Sequence, residues 1–320
     1  MNDFTHIKTK IKNIPELPGI YKMLDQNNNI IYIGKSKSLR KRVRSYFVNS
    51  PKWEKVSKMV SFIKDIDYIV TDTHLEARLL ECDLIKKLQP RFNAQMKNDR
   101  RYIYIKVHPY NPHHSMSVVS EREEDCFGPF RNKYAMMDFL GTLRNIYPIS
   151  KAEDNYTFDY NIFPVKMTSE LFEQNRKILL ELLSDDSRLT VFIDYIQLKL
   201  EEAALQYRYE IASYYRDMKI GFQSMKYNLE KYKLLSSRNI LLKLPVQEGY
   251  KLLFISDGCL KNSLIVGKLT KTALRNFIKV SSSGENFLMN IPESEKSHID
   301  YRDIIFSEIN DLPEDMVEYL

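Results

Sequence analysis

Two tyrosines, Tyr21 and Tyr32, lie eleven residues apart on what reads as the two arms of one hairpin. On paired strands both phenols can face the same side, the geometry that a shared site requires. A free phenol has a pKa of about 10 and is a poor base at neutral pH. Close to a cation its phenolate is favoured. Downstream, residues 35–47 carry six Lys/Arg and no acid, so a phosphate backbone is the obvious partner. Arg42 and Tyr46 are four apart and share a helix face. Lys37, Arg40, Lys41 and Arg44 read as positioning contacts to flanking phosphates. Gly34 permits close backbone approach, and Lys35 follows it at the edge of the site. The remaining group is Glu81, placed among Ala77, Leu80, Leu84, Ile85 and Leu88, which share one face at helical spacing. A carboxylate on a buried face is costly unless it is paired or binds a metal.

The elements that must position these groups are legible. Gly19 to Leu24 and Ile30 to Ile33 predict a hairpin around the turn-rich run Asp25-Gln26-Asn27-Asn28-Asn29. Ser38 can cap a helix running to about Phe47. Asp67 to Thr71 has strand composition, and Thr73 with Glu76 forms a capping box opening a helix that Pro90 stops. Tyr102 to Val107 predicts another strand. Residues 1–106 therefore read as a compact α/β domain. A connector at 107–170 holds a helix from about Lys133 to Arg144. Residues 171–235 are helical, with Leu189, Phe192, Ile193, Ile196, Leu200, Ala203 and Ala204 at spacings of three and four. Strands at 240–244, 250–256 and 263–267 with a helix at 270–280 predict a small α/β domain over 236–320. The fold class expected is α+β, with a central, mainly antiparallel sheet in the first domain.

Composition narrows the classes. The chain has 320 residues, 43% of them apolar and 28% charged, ordinary values for a globular protein. No apolar run is long enough for a membrane span, and the first residues lack the apolar core of a signal peptide. Cys82, Cys126 and Cys259 are too scattered for a disulfide framework or a CxxC metal site. A cytoplasmic protein is expected. Of the net charge of +6, residues 1–50 alone supply ten Lys/Arg against three Asp/Glu, a surplus that draws polyanions without sequence preference.

The runs Pro18-Gly19-Ile20-Tyr21, Ile31-Tyr32-Ile33-Gly34-Lys35 and Leu39-Arg40-Lys41-Arg42, followed by Leu80-Glu81 and Pro90-Arg91-Phe92-Asn93, resemble the GIY-YIG nuclease family in its UvrC-type form. The likeness extends over residues 14–235 and is to the amino-terminal half of such proteins or to the shortened homologue Cho. It implies a DNA endonuclease in nucleotide excision repair, incising on the 3′ side of a lesion. It further implies that Glu81 is the single protein ligand of one Mg²⁺ or Mn²⁺ and that Asn93 is an active-site asparagine. Arg42 would stabilise charge on the attacked phosphate, Tyr46 is a further site tyrosine, and Tyr32 or Tyr21 helps generate the attacking hydroxide, with Tyr32 preferred. Phe127-Gly128-Pro129-Phe130 resembles a motif that follows the nuclease domain.

Residues 203–217 resemble the UVR motif, a helical hairpin that would pair with UvrB. The implied contact is an apolar seam containing Ala204, Tyr207, Ile211 and Tyr215. His74 stands where these proteins often have an acid. The stretch 145–165 has no cysteine, so no iron–sulfur cluster is expected. A nuclease of a mobile element or defence system, or a non-catalytic DNA-binding module of the same fold, are the alternative readings.

Overall fold

The structure is a computed structural model that describes residues 5–48, 53–111, 114–153, 155–283 and 295–320. It comprises two compact units, Met1–Asp99 with Leu235–Leu320, and Arg100–Leu234. No described helix is long and apolar enough to cross a membrane.

The chain opens on helix α1 (Thr5–Asn13), which the sequence reading did not anticipate. Its Ile7 and Ile11, with Ile14 just beyond, are buried at the four- and three-residue spacing of a helix face. Strands β1 (Gly19–Leu24), β2 (Ile30–Ser36) and β3 (Asp65–Val70) pair antiparallel in the order β2-β1-β3. Helices α2 (Leu39–Ser45) and α3 (Glu54–Phe62) lie between β2 and β3 in the chain. Ser38 precedes α2 as expected, but its side chain makes no capping hydrogen bond. Helix α4 (His74–Leu88) begins with the expected capping box: the Glu76 N–H donates to Thr73 Oγ1 at 3.2 Å, and the Thr73 N–H donates to Glu76 Oε2 at 3.0 Å.

The second unit holds an antiparallel sheet of β4 (Ile103–Val107), β5 (Met116–Val119) and β6 (Cys126–Phe130), ordered β5-β4-β6. Helix α5 (Lys133–Leu143) and a short hairpin of β7 (Ser150–Ala152) and β8 (Asn155–Thr157) follow. Helices α6 (Ser169–Ser184), α7 (Asp186–Leu205) and α8 (Tyr209–Ser237) complete it. Helices α7 and α8 run antiparallel: Lys219 Nζ donates to Gln197 Oε1 at 2.7 Å, and Lys233 Nζ donates to Asp186 Oδ2 at 2.8 Å. Phe192, Tyr215, Met218 and Phe222 from the two helices join one core with Phe139 of α5. Gly221 stands within α8 for a steric reason. A β-carbon there would lie 2.0 Å from the Phe139 ring.

From Leu235 onward the chain returns to the first unit. Strands β9 (Ile240–Val246), β10 (Gly249–Ser256), β11 (Cys259–Val266) and β12 (Val317–Tyr319) form an antiparallel sheet in the order β11-β10-β9-β12. Helix α9 (Lys271–Ser282) covers one face, where Phe277 meets Leu241, Leu252 and Phe254. The other face presents Ile240, Leu242, Leu253 and Ile255 to α10 (Glu295–Asp311) and to α4.

Helix α4 is therefore buried on two sides. Ala77 and Ile85, with the partly buried Leu80 and Leu84, pack on Ile20 and Ile33 of the first sheet. Leu75, Leu79 and Cys82 pack against the carboxy-terminal strands and α10. This corrects the single-stripe expectation, since Leu88 is 48% exposed and a second apolar stripe runs along the opposite side. We predict that Leu79→Ala, which truncates a side chain 1% exposed, lowers unfolding free energy by about 2–5 kcal/mol in urea denaturation.

Candidate active site

Strand register places the tyrosines. Tyr21 pairs with Gly34, and Met23 with Tyr32, so both phenols project from the same face of the hairpin. Tyr46, just past α2, completes a triangle with ring centroids 5.9–6.4 Å apart. The hydroxyls of Tyr21 and Tyr46 are hydrogen-bonded at 2.8 Å. The Arg42 guanidinium lies 5.0 Å from the Tyr46 ring centre. Gly34 is a matter of space. A β-carbon at that position would fall 2.3 Å from the Tyr21 hydroxyl oxygen, so the glycine provides the slot in which that ring lies.

Glu81 reaches the same place from α4, and the backbone N–H of Lys35 donates to its Oε1 at 3.1 Å. No other hydrogen bond and no ion pair within 4.0 Å engages this carboxylate among the described residues. Asn93 locks onto the open edge of β2: its Oδ1 accepts from the Ile33 N–H at 2.9 Å, and its Nδ2 donates to the Ile33 carbonyl at 2.8 Å. The amide thus behaves as one residue of a fourth strand. Tyr32, Lys35, Arg42, Tyr46, Glu81 and Asn93 all line one cleft of about 550 Å³. Tyr21, 1% exposed, lies behind it.

Burial sets the electrostatics. It pushes the Glu81 carboxyl up, against the pull of Lys35, Arg78 and Arg42. It also pushes Tyr21 and Tyr32 above the ordinary phenol range, with neighbouring phenols adding to the effect and Arg42 opposing it. Without a metal cation in the cleft, desolvation outweighs Arg42 and holds both phenols above their ordinary range. Lys35 is lowered by burial and by Arg78. His74, at the head of α4, is lowered to about 4 by burial and by Lys35 and Lys37, which leaves its ring neutral at physiological pH.

Among the basic residues, Lys37 and Arg44 are exposed. Arg40 Nε donates to the Ile14 carbonyl at 2.6 Å, and Glu16 lies 3.4 Å from Arg40 and 3.6 Å from Lys41. Sequence reasoning missed Lys8 and Lys12. With Arg40 and Arg44 they line a groove of about 370 Å³ between α1 and α2, with no acid in its lining among the described residues. The spacing of Ile7, Ile11 and Ile14 was the available signal for the helix that carries them.

The UVR-like residues divide. Ala204 and Ile211 are partly exposed, whereas Tyr215 is 5% exposed and belongs to the core rather than to an open seam. Tyr207 lies in the turn between α7 and α8 at a φ of 59°. There it is 78% exposed, with Leu205 and Tyr209 exposed beside it. Cys82, Cys126 and Cys259 are free and buried. No group of three or more His, Cys, Asp or Glu that could hold a metal occurs among the described residues.

A small antiparallel sheet that gathers phenols, a guanidinium and one carboxylate in a basic cleft is the construction of a GIY-YIG domain. Residues 17–94 match the family of the UvrC-like GIY-YIG domain. A UvrABC system protein C from Thermoanaerobacter pseudethanolicus is 41% identical over 157 residues, 48% of this chain and 26% of that protein. Its counterpart from Alkaliphilus oremlandii is 33% identical over 249 residues, 72% of this chain and 40% of that protein. The chain thus spans about a quarter to two fifths of the length of these curated relatives. The magnesium-bound GIY-YIG N-terminal endonuclease domain of UvrC from Thermotoga maritima is 38% identical, with 29% of this chain and 100% of that one covered and a TM-score of 0.27. Residues 17–94 are thus a UvrC-like GIY-YIG domain by family match.

The raised Glu81 pKa has a consequence for stability. A carboxyl whose pKa is higher folded than unfolded favours folding most when protonated, and that contribution is lost as pH rises through the folded value. Glu81→Gln should therefore raise the metal-free Tm at pH 7, and the gain should vanish below the ordinary carboxylate range. Calorimetric scans of both proteins across pH check this.

Proposed function

We propose that this chain is a divalent-cation-dependent DNA endonuclease making a single phosphodiester incision, working in the cytoplasm in UvrC-like 3′-side excision repair. The observation that carries the proposal is the convergence of Tyr32, Lys35, Arg42, Tyr46, Glu81 and Asn93 on one cleft. Glu81 suits a hard cation. It is a single carboxylate, oriented by one backbone N–H and otherwise unengaged among the described residues, so water and phosphate oxygens would complete the shell around Mg²⁺ or Mn²⁺. The cation, when bound, would polarise the scissile phosphate and its leaving oxygen.

The side chains divide the remaining work. Tyr32, or Tyr21 behind it, orients the attacking water through a hydroxyl oxygen, with Tyr46 the neighbour that holds the phenols in register. Arg42 offsets charge developing on the phosphate, a role that suits its delocalised cation. Asn93 keeps β2, and with it Tyr32 and Gly34, in place. Lys37, Lys41 and the α1–α2 groove of Lys8, Lys12, Arg40 and Arg44 take flanking phosphates of the DNA. The hairpin of α7 and α8 is the contact for a UvrB-type protein, with Leu205, Tyr207 and Tyr209 at its exposed tip.

In a nicking assay in Mg²⁺, Glu81→Gln should abolish cleavage while leaving DNA affinity largely intact. Cutting at the wild-type rate by the variant would remove Glu81 from the site. Arg42→Ala should reduce turnover by about 10²–10³-fold, the scale of a lost charge-stabilising contact. Lys41→Ala should mainly weaken binding and flatten its salt dependence. Equal loss of affinity in both, with turnover intact, would make Arg42 a binding residue only.

For the partner, calorimetry of the wild-type chain with UvrB should show association, and Tyr207→Asp should reduce it at least tenfold, an energy of about 1.4 kcal/mol. Absence of any wild-type association would favour a nuclease of a mobile element or defence system instead.

A further inference from the structure

Helix α4 carries Glu81 and is held by the carboxy-terminal residues through charge pairs as well as through Leu75 and Leu79. Lys251 on β10 reaches Asp72 at 2.6 Å and Glu76 at 3.1 Å. Lys86 reaches Asp99 at 2.8 Å and Asp300 of α10 at 3.1 Å. The third pair stands apart because of its position. Arg78 Nη1 donates to Glu308 Oε2 of α10 at 3.0 Å, with the two side chains 15% and 16% exposed.

Arg78 precedes Glu81 by three residues, the spacing at which side chains on a helix meet and pair. A guanidinium is the strongest competitor a carboxylate could have for a divalent cation, since its planar fork engages both oxygens. Yet Arg78 forms no ion pair with Glu81; it turns to Glu308, and its buried Nε has no hydrogen-bond partner. That arrangement is not the one local helix chemistry favours. It is imposed by α10, whose Tyr301, Ile304 and Ile305 pack in the same core as Leu75, Leu79 and Cys82 of α4. The charge of Glu308 is also felt at Lys35, where it favours the ammonium form against Arg78.

We propose that Glu308 is a positioning residue for the cation site: it draws the Arg78 guanidinium away from Glu81, leaving the Glu81 carboxylate open to a divalent metal. The proposal rests on the reading of Glu81 as the metal ligand. It makes residues 295–311 part of the working nuclease, although they fall outside the matched family segment 17–94.

The test is Mn²⁺ binding to the full chain without DNA, followed by calorimetry and by the electron paramagnetic resonance of free Mn²⁺, with circular dichroism melts of each variant. Glu308→Gln should weaken Mn²⁺ binding about tenfold, because a freed Arg78 pairs with Glu81. Arg78→Gln should bind within about twofold of wild type, or more tightly. The double variant Glu308→Gln/Arg78→Gln should return to within about twofold of wild type even where its melting temperature is the lowest of the set. A purely structural pair predicts the reverse order, with the double variant at least as impaired as either single one. That order, or an unchanged affinity in Glu308→Gln, overturns the proposal. Should Glu308→Gln fail to fold, Arg78→Gln decides alone: a tenfold loss of affinity overturns the inference. Glu81→Gln separates the two levels. If wild-type binding survives that substitution, the assignment of Glu81 as ligand falls, and the role of Glu308 falls with it. If binding is lost there but Glu308→Gln is neutral, only the Arg78–Glu308 inference fails.

Discussion

A carboxylate that burial disfavours, held by a single backbone hydrogen bond, is the point on which the first unit turns. For the proposed cation site Glu81 must be charged and unengaged, and both conditions run against its surroundings. The Lys35 N–H orients it without neutralising it. Lys35, Arg78 and Arg42 lower its pKa without forming an ion pair with it. Such a group stays in place only on a rigid support. Helix α4 is rigid because it is packed twice, on Ile20 and Ile33 from one side and on the carboxy-terminal sheet and α10 from the other. A surface helix with one packed face would leave the carboxylate freer to relax toward solvent or toward the nearest cation.

The phenols answer a different constraint. Three tyrosine rings lie within 6.4 Å of one another, and burial together with the neighbouring phenols makes Tyr21 and Tyr32 harder to ionise. What the cluster offers is a fixed set of hydroxyls beside one guanidinium. Its geometry depends on small details of the hairpin: the Tyr21–Gly34 pairing, the absence of a side chain at Gly34, and the Asn93 amide that closes the edge of β2. Each holds a hydroxyl in place. A cleft built this way is held in shape by its own contacts.

The second unit follows other rules. Its core is a chain of edge-to-face aromatic contacts, Phe139 to Phe222 to Phe192 to Tyr156, which fix α5, α7 and α8 and the β7–β8 hairpin together. Tyr215 is spent on that core, whereas Leu205, Tyr207 and Tyr209 at the tip of α7 and α8 are exposed.

Local chemistry was legible in the residues themselves. Period-two and period-3.6 patterns predicted the hairpin, the strands after residue 236 and the helices of 171–235, because those patterns are set by which side chains must leave water. The capping box at Thr73 was equally plain, since its two hydrogen bonds lie within four residues. The GIY-YIG residues could be named as a set through the resemblance of their motifs to that family, since Glu81 and Asn93 lie far along the chain from the hairpin. Other features depended on contacts between distant parts of the chain. Nothing at positions 75, 79 and 82 distinguishes a second packed stripe from scatter until the strands beyond Leu235 are seen to cover it. Tyr215 and Tyr207 look alike in sequence, and only the helix pairing puts one in the core and the other in a turn. The direction in which the phenols shift depends on how much water the assembled cleft excludes, a quantity no spacing reports. The sequence by itself determined which groups could act and which local elements bear them. Tertiary packing decided which are neutral, which are paired, and that Arg78 turns away from Glu81, because burial and charge balance are properties of the whole folded unit.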